Sequence, residues 1–225
     1  MKFKKDKYIV IKKALSEEVT NFLYNYFILK RKVAKTLFDT NWLSPYAREW
    51  GRWDDNQVPN TYSHYSDIVM ETLLLKQQPL IEKKTKLQLN PNYSYARIYK
   101  KGDILKRHKD RFSCELSTTI NLGGDPWPIF LSPYENVGVE EAQGGKKGIT
   151  AASNAKGIKV NLKPGDMLIY EGRDLEHWRE EFKGRHCVQV FLHYNNKESK
   201  NADQNIYDSR PHLGLPMEFK SWNIK

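Results

Sequence analysis

Two side chains able to bind a metal ion stand two positions apart at His108-Lys109-Asp110. In an extended segment, residues i and i+2 project to the same side. An imidazole and a carboxylate on one face can then take adjacent positions on one ion. A distant histidine would complete a two-histidine, one-carboxylate facial triad, the donor set of non-haem Fe(II) centres, which leaves coordination positions open. Taken alone, a His-x-Asp pair is a weak signal, because single histidines are usually surface or packing residues.

The downstream sequence supplies the context. Gly165-Asp166 makes a turn, Met167-Leu168-Ile169-Tyr170 reads as a strand, and after a loop comes His177-Trp178. That order can deliver a third ligand, His177, from a far strand. Arg185 then opens an apolar strand in which Arg185, Cys187, Gln189 and Phe191 share one face. His186, Val188, Val190 and Leu192 share the other. The first face is expected to line a cavity, where a guanidinium can hold a carboxylate through two parallel hydrogen bonds. The Val/Leu face is expected to pack against helices.

The elements that must position these residues follow from periodicity. Tyr8 to Ile11 reads as a first strand. Ser16 before Glu17-Glu18 marks a helix start, and Phe22, Leu23, Tyr26 and Phe27 recur at helical spacing. A second helical pattern begins at Asp67 and runs towards Lys84, with a break or kink at Pro79. Residues 39–60 are rich in Trp, Asn, Asp and Pro and read as an irregular loop. Trp42, Trp50 and Trp53 there either wall a groove or anchor the loop to the core. From about residue 87 the period changes from 3.6 to 2. Strands follow at Tyr95 to Tyr99, Leu105 to His108, Leu116 to Leu122, Trp127 to Leu131, Ile158 to Leu162, Met167 to Tyr170 and Cys187 to Tyr194. The Gly-rich 135–157 stretch reads as a long insertion able to act as a lid. Helices followed by a run of short strands predict an α+β, mainly β fold, with helices on one face of an antiparallel barrel or sandwich.

At this point two segments carry a family resemblance. The run Tyr95-Ala96-Arg97-Ile98-Tyr99-Lys100-Lys101-Gly102-Asp103 through His108-Lys109-Asp110-Arg111 resembles the prolyl 4-hydroxylase-like branch of the Fe(II)/2-oxoglutarate-dependent oxygenases. So does Leu175-Glu176-His177-Trp178-Arg179-Glu180 with Arg185 and its strand. The resemblance covers roughly residues 87–195 and implies a double-stranded β-helix (jelly-roll) core. The helices of about 14–86 would pack on one sheet and a tail of 196–225 would follow, all in one domain. It further implies that His108, Asp110 and His177 hold Fe(II), and that Arg185 binds the distal carboxylate of the cosubstrate 2-oxoglutarate. Tyr99 and Thr119 match positions that contact the cosubstrate, and ascorbate is the expected reductant. The implied reaction couples 2-oxoglutarate decarboxylation to hydroxylation of peptidyl proline. Arg97, Trp178 and Phe191 are candidates for the substrate pocket. Arg97 could equally make a structural ion pair, and Trp178 could simply pack beside the site.

Composition bounds the alternatives. Hydrophobic residues make up 39% of the 225, which suits a globular domain rather than a disordered chain. No apolar run approaches the roughly 18 residues that span a bilayer. The apolar stretch from Tyr8 to Ile11 is too short for a signal-peptide core, so a cytoplasmic location is expected. Two cysteines, Cys114 and Cys187, make no disulfide framework and are expected to be reduced and buried. The net charge of +10 is compatible with nucleic acid, but the lysines are scattered along the chain, which fits solvated faces better. A peptide or protein substrate is favoured over a small molecule, and nucleic acid comes last. The remaining alternatives are an oxygenase acting on nucleic acid or a metabolite, and a non-catalytic basic nucleic-acid-binding module. His64, His186, His193 and His212 are not expected to be ligands.

Overall fold

The computed structural model describes residues 2–44, 46–132, 154–200 and 202–221. Most of the 135–157 stretch, read from sequence as a lid, lies outside the described residues. The elements run α1 (Lys2–Asp6), β1 (Tyr8–Ile11), α2 (Glu17–Asp39), β2 (Tyr62–Tyr65), α3 (Ile68–Thr85), β3 (Leu89–Lys100), β4 (Leu105–His108) and β5 (Leu116–Gly124). Then come β6 (Ile129–Leu131), β7 (Ile158–Val160), β8 (Met167–Tyr170), β9 (His177–Arg179) and β10 (His186–Asn196). Two 3-10 segments, Ala202–Ser209 and Met217–Ser221, close the chain.

The strands form two antiparallel sheets. The larger has the order β1-β8-β5-β10-β3-β2 and the smaller β4-β9-β6-β7. This is the jelly-roll core that the family resemblance implied, with the helices on the outer face of the large sheet. The reason is visible in β10, whose Val188, Val190 and Leu192 enter the main core with Leu23, Phe27, Met70 and Leu74 of α2 and α3. The alternate residues Cys187 and Phe191 turn inward, into a separate cluster with Tyr99, Trp127 and Phe182. The period-2 pattern is therefore a two-sided burial pattern, as expected for a sheet covered on one face and cavity-lining on the other.

Both helices start where capping chemistry permits. Ser16 Oγ accepts from the Val19 amide, and Asp67 accepts from the Met70 amide at 3.0 Å. Asp67 also receives Tyr26 Oη at 2.6 Å and the Lys30 ammonium. Burial would raise this carboxyl, but His64 and Lys30 hold it well below the usual carboxylate range. It thereby joins α2 to α3. As the sequence pattern allowed, α3 runs past Pro79 to Thr85, and it does so without a break, since a proline inside a helix removes one backbone donor without having to end the helix. The irregular 39–60 segment is anchored by Trp53, which packs on Phe38 and Tyr62. Trp50 and Trp53 thus belong to the core packing rather than to a groove wall, whereas Trp42 is 80% exposed.

No helix among the described residues is long and apolar enough to cross a membrane.

Candidate metal centre and its cavity

Strand pairing brings the two histidines together. β4 and β9 are antiparallel neighbours, with His108 opposite His177. Their ring centroids are 4.2 Å apart. β4 ends at His108, so Asp110 does not share a strand with it. Asp110 reaches the same side from the following loop, pinned by its amide donating to Gly172 O at 2.9 Å. Asp110 Oδ1 lies 3.4 Å from His177 Nε2 and 3.7 Å from His108 Nε2. All three ligand atoms fall within 4.8 Å of one another, the one such cluster among the described residues.

The rings are oriented by their other nitrogens. His108 Nδ1 faces Lys106 O at 2.8 Å, and His177 Nδ1 faces Leu175 O at 2.9 Å. A carbonyl only accepts, so each Nδ1 carries a proton and each Nε2 faces the cluster. This is how histidine ligands are held in metal sites. Burial, with His177 beside it, lowers the His108 pKa to about 4, so the ring is neutral near pH 7. Burial pushes the Asp110 carboxyl up, but His177, His193 and His108 outweigh it and hold the group well below the usual range. A neutral His108 imidazole and an ionised Asp110 carboxylate are protonation states that suit a divalent ion.

Behind Asp110 stand Ser117, which the sequence did not single out, and His193, which it set aside as a ligand. Ser117 Oγ donates to Asp110 Oδ2 at 2.5 Å and also meets His193 Nδ1 at 3.0 Å. His193 stacks on Tyr93 at 4.5 Å. Gly172 is required by contact: a Cβ there would sit 2.2 Å from Asp110 Oδ2 and 2.4 Å from Ser117 Oγ. Gly172→Ala is therefore expected to displace the carboxylate and weaken divalent-ion binding by about 10–100-fold, the scale for disturbing a ligand's supporting partner. A Co(II) titration checks this; unchanged affinity would show that Asp110 tolerates displacement or does not bind the ion.

The triad opens into a cavity of about 180 Å³. Tyr99, Arg97 and Phe191 line it, as the sequence suggested, together with Tyr95, Asp55 and Gln57. Arg97 is 2% exposed and donates to Asp55 and Gln57. It is therefore both a cavity residue and the ion-paired arginine of the alternative reading. Two expectations need correction. Trp178 faces away from the cavity because it alternates with His177 along β9. It stacks on Phe130 at 5.6 Å with the Arg107 guanidinium 3.4 Å from its ring centre. Arg185 precedes β10 rather than opening it; its side chain is exposed and does not line the cavity, and its amide is held by Asp125 at 2.6 Å.

A second interior guanidinium, besides Arg97, is Arg179, the residue that shares the inward face of β9 with His177. It is 1% exposed. Nη1 donates to Trp127 O at 2.5 Å and Nη2 reaches Thr119 Oγ1 at 3.4 Å. Thr119 in turn donates to Gln189 at 3.0 Å. Among the described residues Arg179 Nε has no hydrogen-bond partner. Burial lowers its pKa, with partial relief from Tyr99, Cys187 and Tyr170. Among the described residues no carboxylate pairs with it, which is unusual for a buried charge. Tyr99 and Thr119 thus cluster around Arg179.

The other histidines are accounted for elsewhere. His64 bonds Asp67, His186 meets Tyr24 Oη at 2.6 Å, and His212 is exposed. Cys114 and Cys187 are free and buried, outside the cluster. A larger cavity of about 250 Å³, lined by Tyr26, Lys30, Arg52 and His64 among others, contains none of the triad.

No protein-family model matches this sequence, and no curated protein matches it. Solved structures do match in three dimensions. A prolyl-4-hydroxylase from Pseudomonas putida superposes with a TM-score of 0.53 at 12% identity, covering 87% of this chain and 96% of that one. The non-haem, alpha-ketoglutarate-dependent epimerase SnoN of nogalamycin biosynthesis gives 0.58 at 14% identity, covering 87% and 80%. HygX from Streptomyces hygroscopicus, with nickel, 2-oxoglutarate and hygromycin B bound, gives 0.57 at 12% identity, covering 96% of both chains. At such identities the likeness establishes the fold alone, a jelly-roll.

Proposed function

We propose that this protein is an Fe(II)- and 2-oxoglutarate-dependent oxygenase in which His108, Asp110 and His177 hold the iron. The observation that carries the reading is the convergence of two Nε2 atoms and one carboxylate oxygen inside a jelly-roll whose interior also holds a guanidinium with no carboxylate partner among the described residues. With iron and 2-oxoglutarate bound, the site would couple oxidative decarboxylation of the cosubstrate by dioxygen to oxidation of a substrate C–H bond.

The chain's own residues supply positioning. Lys106 O and Leu175 O fix the imidazole tautomers, and Ser117 fixes the Asp110 carboxylate. Arg179 takes the role expected of Arg185 and receives the distal carboxylate of 2-oxoglutarate, with Thr119 and Tyr99 beside it. A buried guanidinium that lacks a carboxylate suits an anionic ligand that brings one.

For the substrate, peptidyl proline is the first reading. Tyr93, Tyr95 and Phe191 give the cavity aromatic walls that suit a proline ring. The second reading is a small polar metabolite. It rests on Asp55, Gln57 and Arg97, which put a carboxylate, an amide and a guanidinium at the same cavity, and on the small volume. HygX binds such a molecule, whereas the Pseudomonas enzyme is a prolyl hydroxylase.

The test is succinate release from 2-oxoglutarate with Fe(II) and ascorbate as reductant, alone and with proline-rich peptides, aminoglycosides and oligonucleotides. Slow succinate formation is expected alone, with a rise and a 16 Da gain for the right substrate class. No iron-dependent succinate under any condition would sink the oxygenase reading. A response to a metabolite or oligonucleotide but not to peptides would sink only the prolyl one.

A further inference from the structure

Gln57 belongs to the irregular loop between α2 and β2, yet its carboxamide reaches the metal centre. Gln57 Nε2 lies 3.2 Å from His108 Nε2. The loop that carries it is built to hold it there. Arg52 bridges to Ser63, and the Asn60 amide closes on Trp53 O at 3.0 Å. The Asp55 carboxylate accepts the Gln57 backbone amide at 2.9 Å and is itself gripped by Arg97 and Tyr95.

The carboxamide orientation follows from its partners. Arg97 Nη1 donates to Gln57 Oε1 at 3.1 Å. Arginine has no acceptor, so the amide oxygen must face it and the NH₂ must face His108. His108 has committed its Nδ1 proton to Lys106 O. Its Nε2 is therefore an acceptor, and Gln57 donates to it. That lone pair is the one a metal ion needs.

We propose that Gln57 is a latch on the metal centre: its amide N–H occupies the His108 Nε2 lone pair and must release it before an ion can bind. The proposal rests on reading His108, Asp110 and His177 as metal ligands. The latch opposes metal loading by the worth of one net hydrogen bond, about two- to tenfold in affinity. It makes Gln57 a positioning residue, acting on the ion through His108. A purely structural Gln57 would behave in the opposite way. Losing it would slacken His108 and weaken the site.

The experiment is calorimetric titration of Co(II) into the full chain as wild type, Gln57→Ala and Gln57→Met. Methionine keeps the length and bulk of the side chain without the donor, so the comparison holds even if alanine loosens the loop. Both variants are expected to bind Co(II) about two- to tenfold more tightly. In the metal-free protein, the ¹⁵N resonance of His108 Nε2 should shift on substitution. If the variants bind equally or more weakly while wild type binds well, the latch is refuted and the metal centre stands. If wild type binds no Co(II), the metal reading fails and the latch with it.

Discussion

Asp110→Ala will abolish iron-dependent succinate formation and weaken divalent-ion binding by well over 100-fold. Disturbing a partner that only supports a ligand already costs about 10–100-fold, so removing a ligand must cost more. Asp110 carries the greatest weight of the three. It is the one anionic ligand in the cluster, and its Oδ1 is the atom on which both Nε2 atoms converge. Asp110→Asn separates charge from shape, since it keeps the contact with Ser117 but removes the negative charge. It should fail nearly as badly. His108→Ala and His177→Ala should each abolish turnover as well, while His212→Ala, at an exposed position, serves as the unaffected control. The measurements are Co(II) affinity and succinate yield on the same preparations. Near wild-type values for any ligand variant would remove that residue from the centre.

How much of this centre is legible in the sequence depends on how local each piece is. His108 and Asp110 stand two positions apart, and the strand–loop–histidine order ahead of His177 is visible without coordinates. The two-sided pattern of β10 is legible because eleven residues give the alternation room to repeat. β9 has only three residues, too few to show a period. The place of Arg179 on the inward face, two residues beyond His177, therefore went unread, and the more conspicuous Arg185 at the head of an apolar run took the role. The structure starts that strand at His186, which leaves Arg185 in the preceding turn. The same short strand explains Trp178, which an i+1 step places on the opposite face. Gln57 and Gly172 lie in loops, where no periodicity reports what a side chain touches. Ser117 and His193 sit on inward faces of strands that were recognised, but their pairing needs strand register, which sequence does not supply.

Arg179→Met will raise the 2-oxoglutarate requirement by about 10–100-fold, the loss of a charge-assisted hydrogen bond to a carboxylate, while Arg185→Ala leaves it within about twofold, as expected for an exposed residue outside the cavity. Arg179→Lys should fall between, because a point charge cannot replace a two-pronged guanidinium. Lower affinity alone would not separate a binding role from a collapse of the interior, so stability has to be measured beside it. Arg179 is buried with an unpartnered Nε and no carboxylate among the described residues. Replacing such a charge with an apolar side chain of similar length removes a desolvation cost and is often neutral or stabilising. What it gives up is the bond to Trp127 O and the contact with the Trp127 ring at 5.0 Å. The expected signature is therefore two effects in different directions. The cosubstrate-free protein melts at or above the wild-type temperature, and the upward shift on adding 2-oxoglutarate shrinks. A structural arginine would give a lower melting temperature with the 2-oxoglutarate shift preserved, and that result, or a loss of affinity confined to Arg185→Ala, would return the carboxylate site to Arg185.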